Sequence, residues 1–260
     1  MGIEEDLDRI EEALDGEDPD LALSLARKAV RSWKDSPDAW GLLGEALEQT
    51  GDLEGAIDAY EKATGIDPDW ASGHAHLAGL LLELGDAEAA GERIDRALGM
   101  DRDEPEATYN LAKLSELDGD VTKAEGLSRT AARLDRERFH APVRVPLDAF
   151  RRMAVEAMED LPERVRSFLG DMPVLVEDLP GPDSPGPLIL GECIGDHRSE
   201  AGALDPVTLT PARILLYKRN LERISKDRSE LEEEIRTTVL HEILHWLGLD
   251  ESEVEDRGLR

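Results

Sequence analysis

The first half of the sequence repeats itself every 34 residues. Gly-Asp pairs stand at Gly51-Asp52, Gly85-Asp86 and Gly119-Asp120. Small residues keep the same register, and they are Gly44, Ala78 and Ala112; Ala56, Ala90 and Ala124; Ala63, Ala97 and Ala131. The apolar spacing between these points is helical, so each unit is predicted to be two antiparallel helices joined by the Gly-Asp turn. The first half should therefore be an all-α helical-repeat solenoid.

The period and its residue pattern resemble the tetratricopeptide repeat. The unit "DAWGLLGEALEQTGDLEGAIDAYEKATGIDP" carries most of that family's characteristic residues, which are Trp40, Leu43, Gly44, Ala56, Tyr60, Ala63 and Pro68. The next two units differ at two of these positions, with His74 and Thr108 for Trp40, and Ile94 and Ser128 for Tyr60. Residues 3–36 fit the same register through Ala22 and Ala29. The resemblance implies about four tetratricopeptide-like units within residues 1–138.

A solenoid of such repeats usually binds an extended peptide or a partner helix on its concave face. A protein partner is therefore expected for the repeat domain. The alternative is that the repeats mainly support or shield the second domain, and the sequence favours neither. His74 and His76 would point to different faces of a helix, and His74 holds the packing position of Trp40, so both are predicted to be structural.

The charge balance restricts the class of partner. Lys and Arg number 30 and Asp and Glu number 60, which gives a net charge of −30. A surface this acidic repels phosphate backbones and anionic headgroups, so no nucleic acid and no membrane is expected as a partner. Basic peptides and metal cations fit better, although solubility also accounts for the charge.

The cysteine count and the lack of targeting signals restrict the possible disulfides, the type of metal site and the expected cellular location. Cys193 is the single cysteine, which excludes an intrachain disulfide and thiolate-rich zinc sites. The N-terminus lacks a basic and an apolar region, and no stretch is long and apolar enough to span a bilayer. A cytoplasmic location is the expectation.

The second half follows a different pattern. After "RERFHAPVRVP" (136–146) the repeat register stops, and residues 147–161 predict an amphipathic helix, with a shorter helix after it. The segments "MPVLVED", "LILGECIG" and "ARILLYK" predict strands, and "PGPDSPGP" (180–187) predicts a rigid loop. Residues 139–260 should therefore form a second, small α+β domain.

A helix near the C-terminus carries the stretch "HEILHWLGLDE", residues 241–251. Ser229 and Glu232 have the spacing of a capping box that opens this helix, and Gly248 is predicted to end it. His241 and His245 are four residues apart, so both imidazoles project from one face and can share a metal ion. Glu242 lies one step round the helix, where it can act on a water molecule beside the metal without binding the metal.

A third metal ligand is expected beyond the helix, because zinc hydrolases use three protein ligands and leave one position for water. Glu251 stands ten residues after His241 and can fold back once Gly248 has turned the chain. It is favoured over Asp250 and Glu253. The alternative role for these acids is to cap a short terminal helix.

Residues 145–260 resemble the small zincin-like metallopeptidase family of bacteria, through "ARILLYKRNLERISKDRSELEEEIRTTVLHE" and "HEILHWLGLDESEVEDRG". The resemblance implies a minimal zincin domain with the signature H-E-x-x-H-x-x-G-x-x-E. It implies Zn²⁺ as the cofactor, His241, His245 and Glu251 as its ligands, and Glu242 as the general base. The chain departs from related families in having no methionine after Met172, and from relatives in having Cys193 where an aromatic residue is frequent.

The predicted function is hydrolysis of a peptide or protein substrate by a zinc metallopeptidase. Tyr217, His197 and Arg213 are candidates to stabilise the oxyanion, and none is preferred. The non-enzymatic alternative is a repeat adaptor with a structural or vestigial zinc site, but such a site needs no base at Glu242. A latent peptidase, inactive until a partner occupies the repeats, is the third interpretation.

Overall fold

A computed structural model describes residues 2–16, 18–169, 172–195 and 212–248 of the chain. The chain divides into two compact units, Met1–His140 and Ala141–Arg260. The first unit is helical throughout its described part, and the second combines helices with a small sheet. Within the described residues, no helix is both long enough and apolar enough to cross a membrane.

Helical hairpins build the first unit. Its described helices are α1 (Ile3–Asp15), α2 (Pro19–Ser32), α3 (Pro37–Gln49), α4 (Leu53–Ile66), α5 (Ala71–Glu83), α6 (Ala87–Met100), α7 (Pro105–Leu117) and α8 (Val121–Leu134). The two helices of each pair pack against each other, and each pair packs against the next. This architecture confirms the predicted tetratricopeptide-like repeats.

The Gly-Asp pairs form the turns inside the last three hairpins. Gly51, Gly85 and Gly119 have φ angles of 78°, 82° and 83°, a left-handed conformation that favours glycine. The aspartate after each glycine caps the second helix, because its carboxylate accepts a hydrogen bond from a backbone N–H three residues on. These bonds join Asp52 to Gly55, Asp86 to Ala89 and Asp120 to Lys123, at 3.0–3.1 Å.

Small residues let the paired helices approach closely. A Cβ atom added to Gly44 would lie 2.7 Å from Cζ of Tyr60, whose side chain is fully buried. In the next two units the same two positions hold Ala78 with Ile94 and Ala112 with Ser128. The smallest residue at the first position therefore accompanies the largest at the second.

Both histidines of α5 belong to the packing of the repeats. His74 is buried, and its Nε2 atom lies 3.2 Å from the carbonyl oxygen of Pro68. The ring of His76 stacks on Tyr60 with a centroid distance of 4.9 Å and an interplanar angle of 3°. These contacts agree with the structural role predicted for both residues.

The second unit is a small α+β region. Its described elements are α9 (Leu147–Glu159), α10 (Glu163–Leu169), β1 (Val174–Glu177), β2 (Gly191–Ile194), β3 (Arg213–Tyr217), α11 (Lys218–Ile224) and α12 (Arg228–Leu247). The strand order is β1-β3-β2, with β3 parallel to β1 and antiparallel to β2. In the described sheet, β2 is therefore an edge strand.

Helix α12 is held by one apolar face. The helix packs against α9, β2 and β3. Its fully buried side chains recur every four residues, and they are Leu231, Ile235, Val239 and Ile243. This spacing fixes the rotation of α12, so other faces of the helix remain available for polar groups.

The sequence predicted both ends of α12, and the structure differs at the first and agrees at the second. The predicted cap at Ser229 is wrong: the helix begins at Arg228, and the Asp227 carboxylate accepts hydrogen bonds from the N–H groups of Ser229 and Glu230, at 2.8 and 3.0 Å. Aspartate caps helices as well as serine does, so the earlier residue takes the position. Gly248 ends the helix as predicted, with φ 68° and ψ 33°.

A buried carboxylate ties the start of the second unit to α11. The fully buried Glu222 accepts hydrogen bonds from Nη1 of Arg144 at 3.1 Å, Nζ of Lys218 at 2.5 Å and N–H of Val145 at 2.8 Å. Its own carbonyl oxygen accepts a bond from the N–H of Val143 at 3.0 Å. A buried charge with this many donors is strongly compensated, so residues 143–145 are firmly attached to the second unit.

Candidate metal centre

His241 and His245 project together from the last two turns of α12. Their Nε2 atoms lie 2.9 Å apart, and their ring centroids are 4.3 Å apart with an interplanar angle of 79°. Both side chains are exposed, while the residues between them include the buried Ile243 and Leu244. The helix thus packs through one side and directs both imidazoles away from the core.

The two imidazoles fit a zinc ion. In a tetrahedral site with bonds of about 2.0–2.1 Å, two histidine nitrogens lie about 3.3 Å apart. The observed separation of 2.9 Å reaches that value with a small side-chain rotation. The same separation fits a hydrogen bond in which one neutral ring donates to the other. Nitrogen donors of this kind are preferred zinc ligands.

The position of the third ligand is not part of the described structure. Among the residues that the structure describes, no group of three or more His, Cys, Asp or Glu side chains could hold a metal ion. Glu251, favoured as the third ligand, and its competitors Asp250 and Glu253 lie outside those residues. His197, one of the candidates for the oxyanion, lies outside them as well.

Glu242 belongs to α12, and its half-buried side chain lies on the side of the helix near β2. The backbone N–H of Cys193 lies near the Glu242 carboxylate and stabilises the charged form. Burial raises the pKa of Glu242, whereas His241 and the Cys193 N–H lower it, and burial dominates. The carboxylate therefore lies next to the histidine pair and is held towards the edge strand.

The register between β2 and β3 determines which backbone groups of β2 point away from β3. Tyr217 donates its N–H to the carbonyl oxygen of Leu190, so Glu192 and Ile194 also bond to β3 in the antiparallel pattern. Gly191 and Cys193 consequently direct their N–H and C=O groups away from β3, to the outer edge of the described sheet. The contact between Glu242 and the Cys193 N–H uses one of these groups.

A cleft of about 370 Å³ lies beside Glu242. It is lined by Ile189, Leu190, Gly191, Glu234, Thr237, Thr238, His241 and Glu242. A Cβ atom at Gly191 would lie 2.8 Å from Cγ2 of Thr238, so only glycine lets β2 approach α12 this closely. The cleft is thus bounded by the edge strand on one side and by the helix that carries the histidine pair on the other.

Cys193 and Tyr217 are poorly suited to a direct chemical role. Burial raises the pKa of the Cys193 thiol to about 11, and Glu242 contributes to the rise, so the thiol is protonated at neutral pH. A protonated thiol is a poor nucleophile. Burial raises the pKa of Tyr217 to about 12, which keeps its hydroxyl protonated, but that hydroxyl already donates to Glu192 and contacts Ser184. Arg213, the remaining described candidate for the oxyanion, is exposed at the start of β3.

Several residues of the cleft were missed by the sequence analysis. Glu234, Thr237 and Thr238 precede His241 by seven, four and three residues, which places them on the same face of α12. This helical spacing was a usable signal. The proximity of the Cys193 N–H to Glu242 had no such signal, because the two residues are 49 positions apart in the sequence.

Comparisons with known proteins match each half separately. The family model of the zincin-like metallopeptidases matches residues 169–259, and that of the tetratricopeptide repeat matches residues 7–69 and 77–138. The chain thus combines tetratricopeptide repeats with a region similar to zincin-like metallopeptidases. No curated protein matches the chain.

Three similar solved structures align with 53–60% of the chain. A crystal structure of MamA is 20% identical, covers 53% of this chain and 80% of that chain, and has a TM-score of 0.45. A thermophilic TPR protein of Thermus thermophilus is 20% identical, with coverages of 53% and 76% and a TM-score of 0.47. MamA 41-end from Desulfovibrio magneticus RS-1 is 17% identical, with coverages of 60% and 84% and a TM-score of 0.44.

Proposed function

We propose that the second domain, residues 139–260, is a zinc-dependent peptidase. His241, His245 and Glu251 would bind the metal, and Glu242 would be the general base. The observation that carries the proposal is the position of Glu242, whose carboxylate lies beside the histidine pair and lines the cleft along β2. A purely structural zinc site needs no carboxylate there, so the arrangement favours catalysis over the adaptor interpretation.

Each residue has a definite task in this proposal. Zinc, when bound, supplies Lewis acidity that polarises the scissile carbonyl and lowers the pKa of water towards neutrality. His241 and His245 would hold the ion through their imidazole nitrogens. Glu242 accepts the proton of the attacking water and passes it to the leaving amine. A carboxylate has two oxygens, so the nearby Cys193 N–H leaves acceptor capacity for this proton.

The edge of β2 that faces away from β3 in the described sheet suits an extended peptide. Gly191 and Cys193 direct backbone groups to that edge, and a peptide strand can pair with such groups by adding to the sheet. The cleft beside them would then receive one substrate side chain. Peptide or protein is accordingly the proposed substrate class.

The repeat domain, residues 1–138, is proposed to bind a protein partner or the substrate itself. Stacked helical repeats present an extended surface for such partners. The net charge of −30 favours a partner with basic residues and disfavours nucleic acid.

Replacing Glu242 by glutamine tests the proposed function. Glu242→Gln keeps the size of the side chain and removes the proton acceptor, so zinc and fold should remain while hydrolysis falls by about two orders of magnitude or more. Zinc is measured by elemental analysis, fold by circular dichroism, and hydrolysis by mass spectrometry of a broad peptide mixture. The control is Glu233→Gln on the same helix, an exposed residue bound to Arg236, which should behave as the unaltered chain.

The same assay separates the two other interpretations. If the zinc-loaded chain cleaves no peptide, either intact or after proteolytic removal of the repeats, the adaptor interpretation replaces the peptidase. If cleavage begins only after the repeats are removed, the peptidase is latent.

A further inference from the structure

The cleft beside Glu242 contains a second carboxylate, Glu234. Glu234 precedes His241 by seven residues, so it lies two turns along α12, about 10.5 Å from the histidine at 1.5 Å per residue. Both residues line the same cleft. A group bound at Glu234 therefore lies in the same cleft as His241, about two helical turns away.

Glu234 differs from the other acidic residues in the first half of α12. Its neighbours Glu232 and Glu233 bond to Arg228 at 2.9 Å and to Arg236 at 2.8 Å, and Glu230 lies 3.8 Å from Nζ of Lys226. Within the described part of the chain, no ion pair or hydrogen bond is found for the Glu234 side chain. This half-buried carboxylate is thus available to a cation that enters the cleft.

A capping role does not explain Glu234. The N-cap of α12 is Asp227, and the acidic residue of the first turn is Glu230. Glu234 is the seventh residue of the helix, beyond the first turn in which a negative charge stabilises the helix dipole. The side chain therefore contributes nothing evident to the start of the helix.

The rest of the lining suits a long side chain with an apolar stem. Ile189 and Leu190 contribute apolar surface on the strand side, and Thr237 contributes a hydroxyl on the helix side. A volume of about 370 Å³ is near the lower limit of ligand pockets, which fits one side chain. Lysine and arginine combine an aliphatic stem with a cationic end, so they match both parts of the lining.

We propose that Glu234 makes this cleft a binding site for a lysine or arginine side chain of the substrate, close to the scissile bond. This rests on the proposed peptidase function and names its substrate class: peptides with a basic residue beside the cleaved bond. Glu234 is a specificity-determining residue that binds the cationic end by a charge-assisted hydrogen bond. Acidic peptides are repelled by Glu234 and Glu242 together.

The test uses peptides that differ at a single position. Lysine, arginine, norleucine or glutamate is placed in turn at each of the two positions on either side of the scissile bond, and kcat/KM is measured for the full zinc-loaded chain. At one position, lysine or arginine should exceed norleucine by about tenfold, the usual size of a half-buried charge-assisted contact. Glu234→Gln should abolish that preference, and Glu234→Lys should favour the glutamate peptide. The control Glu233→Gln should keep the preference.

A binding measurement separates this proposal from the peptidase function. Fluorescence anisotropy of the labelled peptides is measured on the zinc-loaded Glu242→Gln chain, with and without Glu234→Gln. If the unaltered chain cleaves nothing while lysine peptides bind about tenfold more tightly when Glu234 is present, the binding site stands and the peptidase function fails. If peptides are cleaved with equal kcat/KM for lysine and norleucine at every position, the site is overturned and the peptidase function stands.

Discussion

The backbone N–H of Cys193 lies near the carboxylate of Glu242 and stabilises its charged form, and so links the edge strand β2 to the helix that carries the histidine pair. Outward N–H groups of an edge strand usually face solvent or another strand. Here one of them holds the proposed general base. The distance between that base and a peptide lying along β2 is consequently set by the protein backbone.

Substitution of Cys193 tests this positioning role. Cys193→Ala keeps the N–H, so hydrolysis should stay within about twofold, whereas Cys193→Pro removes the donor and should lower kcat by about tenfold, the value of a hydrogen bond to a charged group. Proline is tolerated on edge strands, and zinc content and circular dichroism check the fold of both variants. Equal loss in both would show that the side chain matters and the N–H does not.

Removal of either histidine should release the metal. His241→Ala or His245→Ala deletes one of two converging nitrogens, so zinc affinity should fall by at least about a hundredfold, more than the loss of a supporting residue causes. Competition against a fluorescent chelator measures the affinity. His140→Ala, at the boundary between the two units, is the control and should bind zinc normally. Undiminished zinc in both α12 variants would rule out the site.

The third ligand is tested by the same competition assay. Glu251→Ala should weaken zinc binding in the way the histidine variants do, while Asp250→Ala and Glu253→Ala should leave it within about threefold, as expected for residues outside the metal's coordination sphere. If Asp250→Ala or Glu253→Ala weakens zinc binding and Glu251→Ala does not, the third ligand is Asp250 or Glu253. The assignment of the histidine pair would not change.

The repeats were predictable because their signal recurs. Three Gly-Asp turns at one spacing predicted the hairpins, and the structure confirms these with a left-handed glycine at each turn. Helix α11 was not predicted, because "KRNLERI" is short, polar and directly joined to β3. Its position depends on the buried Glu222 with Arg144, a long-range contact that local pattern cannot reveal.

The candidate site was predictable only where it lies on one helix. The spacing of His241 and His245 gave the convergence of their imidazoles, since helix geometry alone decides it. The contact of Glu242 with Cys193 depends on how α12 docks on β2. That docking is set by the close approach at Gly191, whose glycine has no distinguishing mark in the sequence.

Limited proteolysis tests the proposed boundary between the domains. Arg136, Glu137 and Arg138 are exposed after α8, whereas residues 143–145 are held by Glu222. Trypsin should therefore cut first after Arg136 or Arg138, and both fragments should then resist further digestion. Mass spectrometry of a time course identifies the sites. Earliest cleavage inside the repeats, or after Arg144, would contradict the boundary.

The last prediction concerns Gly44 and Tyr60 at the centre of the second hairpin. A Cβ at Gly44 would come within 2.8 Å of three atoms of the buried Tyr60 ring. Gly44→Ala should therefore lower the free energy of unfolding by about 1–2 kcal/mol, because overpacking outweighs the helix propensity gained. In the Tyr60→Ile background the same change should become stabilising, since Ala78 with Ile94 shows that this pair is accommodated.

Gly126→Ala in α8, where nothing lies within 4 Å, is the matched control and should stabilise the repeats by up to about 1 kcal/mol. Urea denaturation is followed by tryptophan fluorescence, and stabilisation by Gly44→Ala alone would show that the close approach is absent.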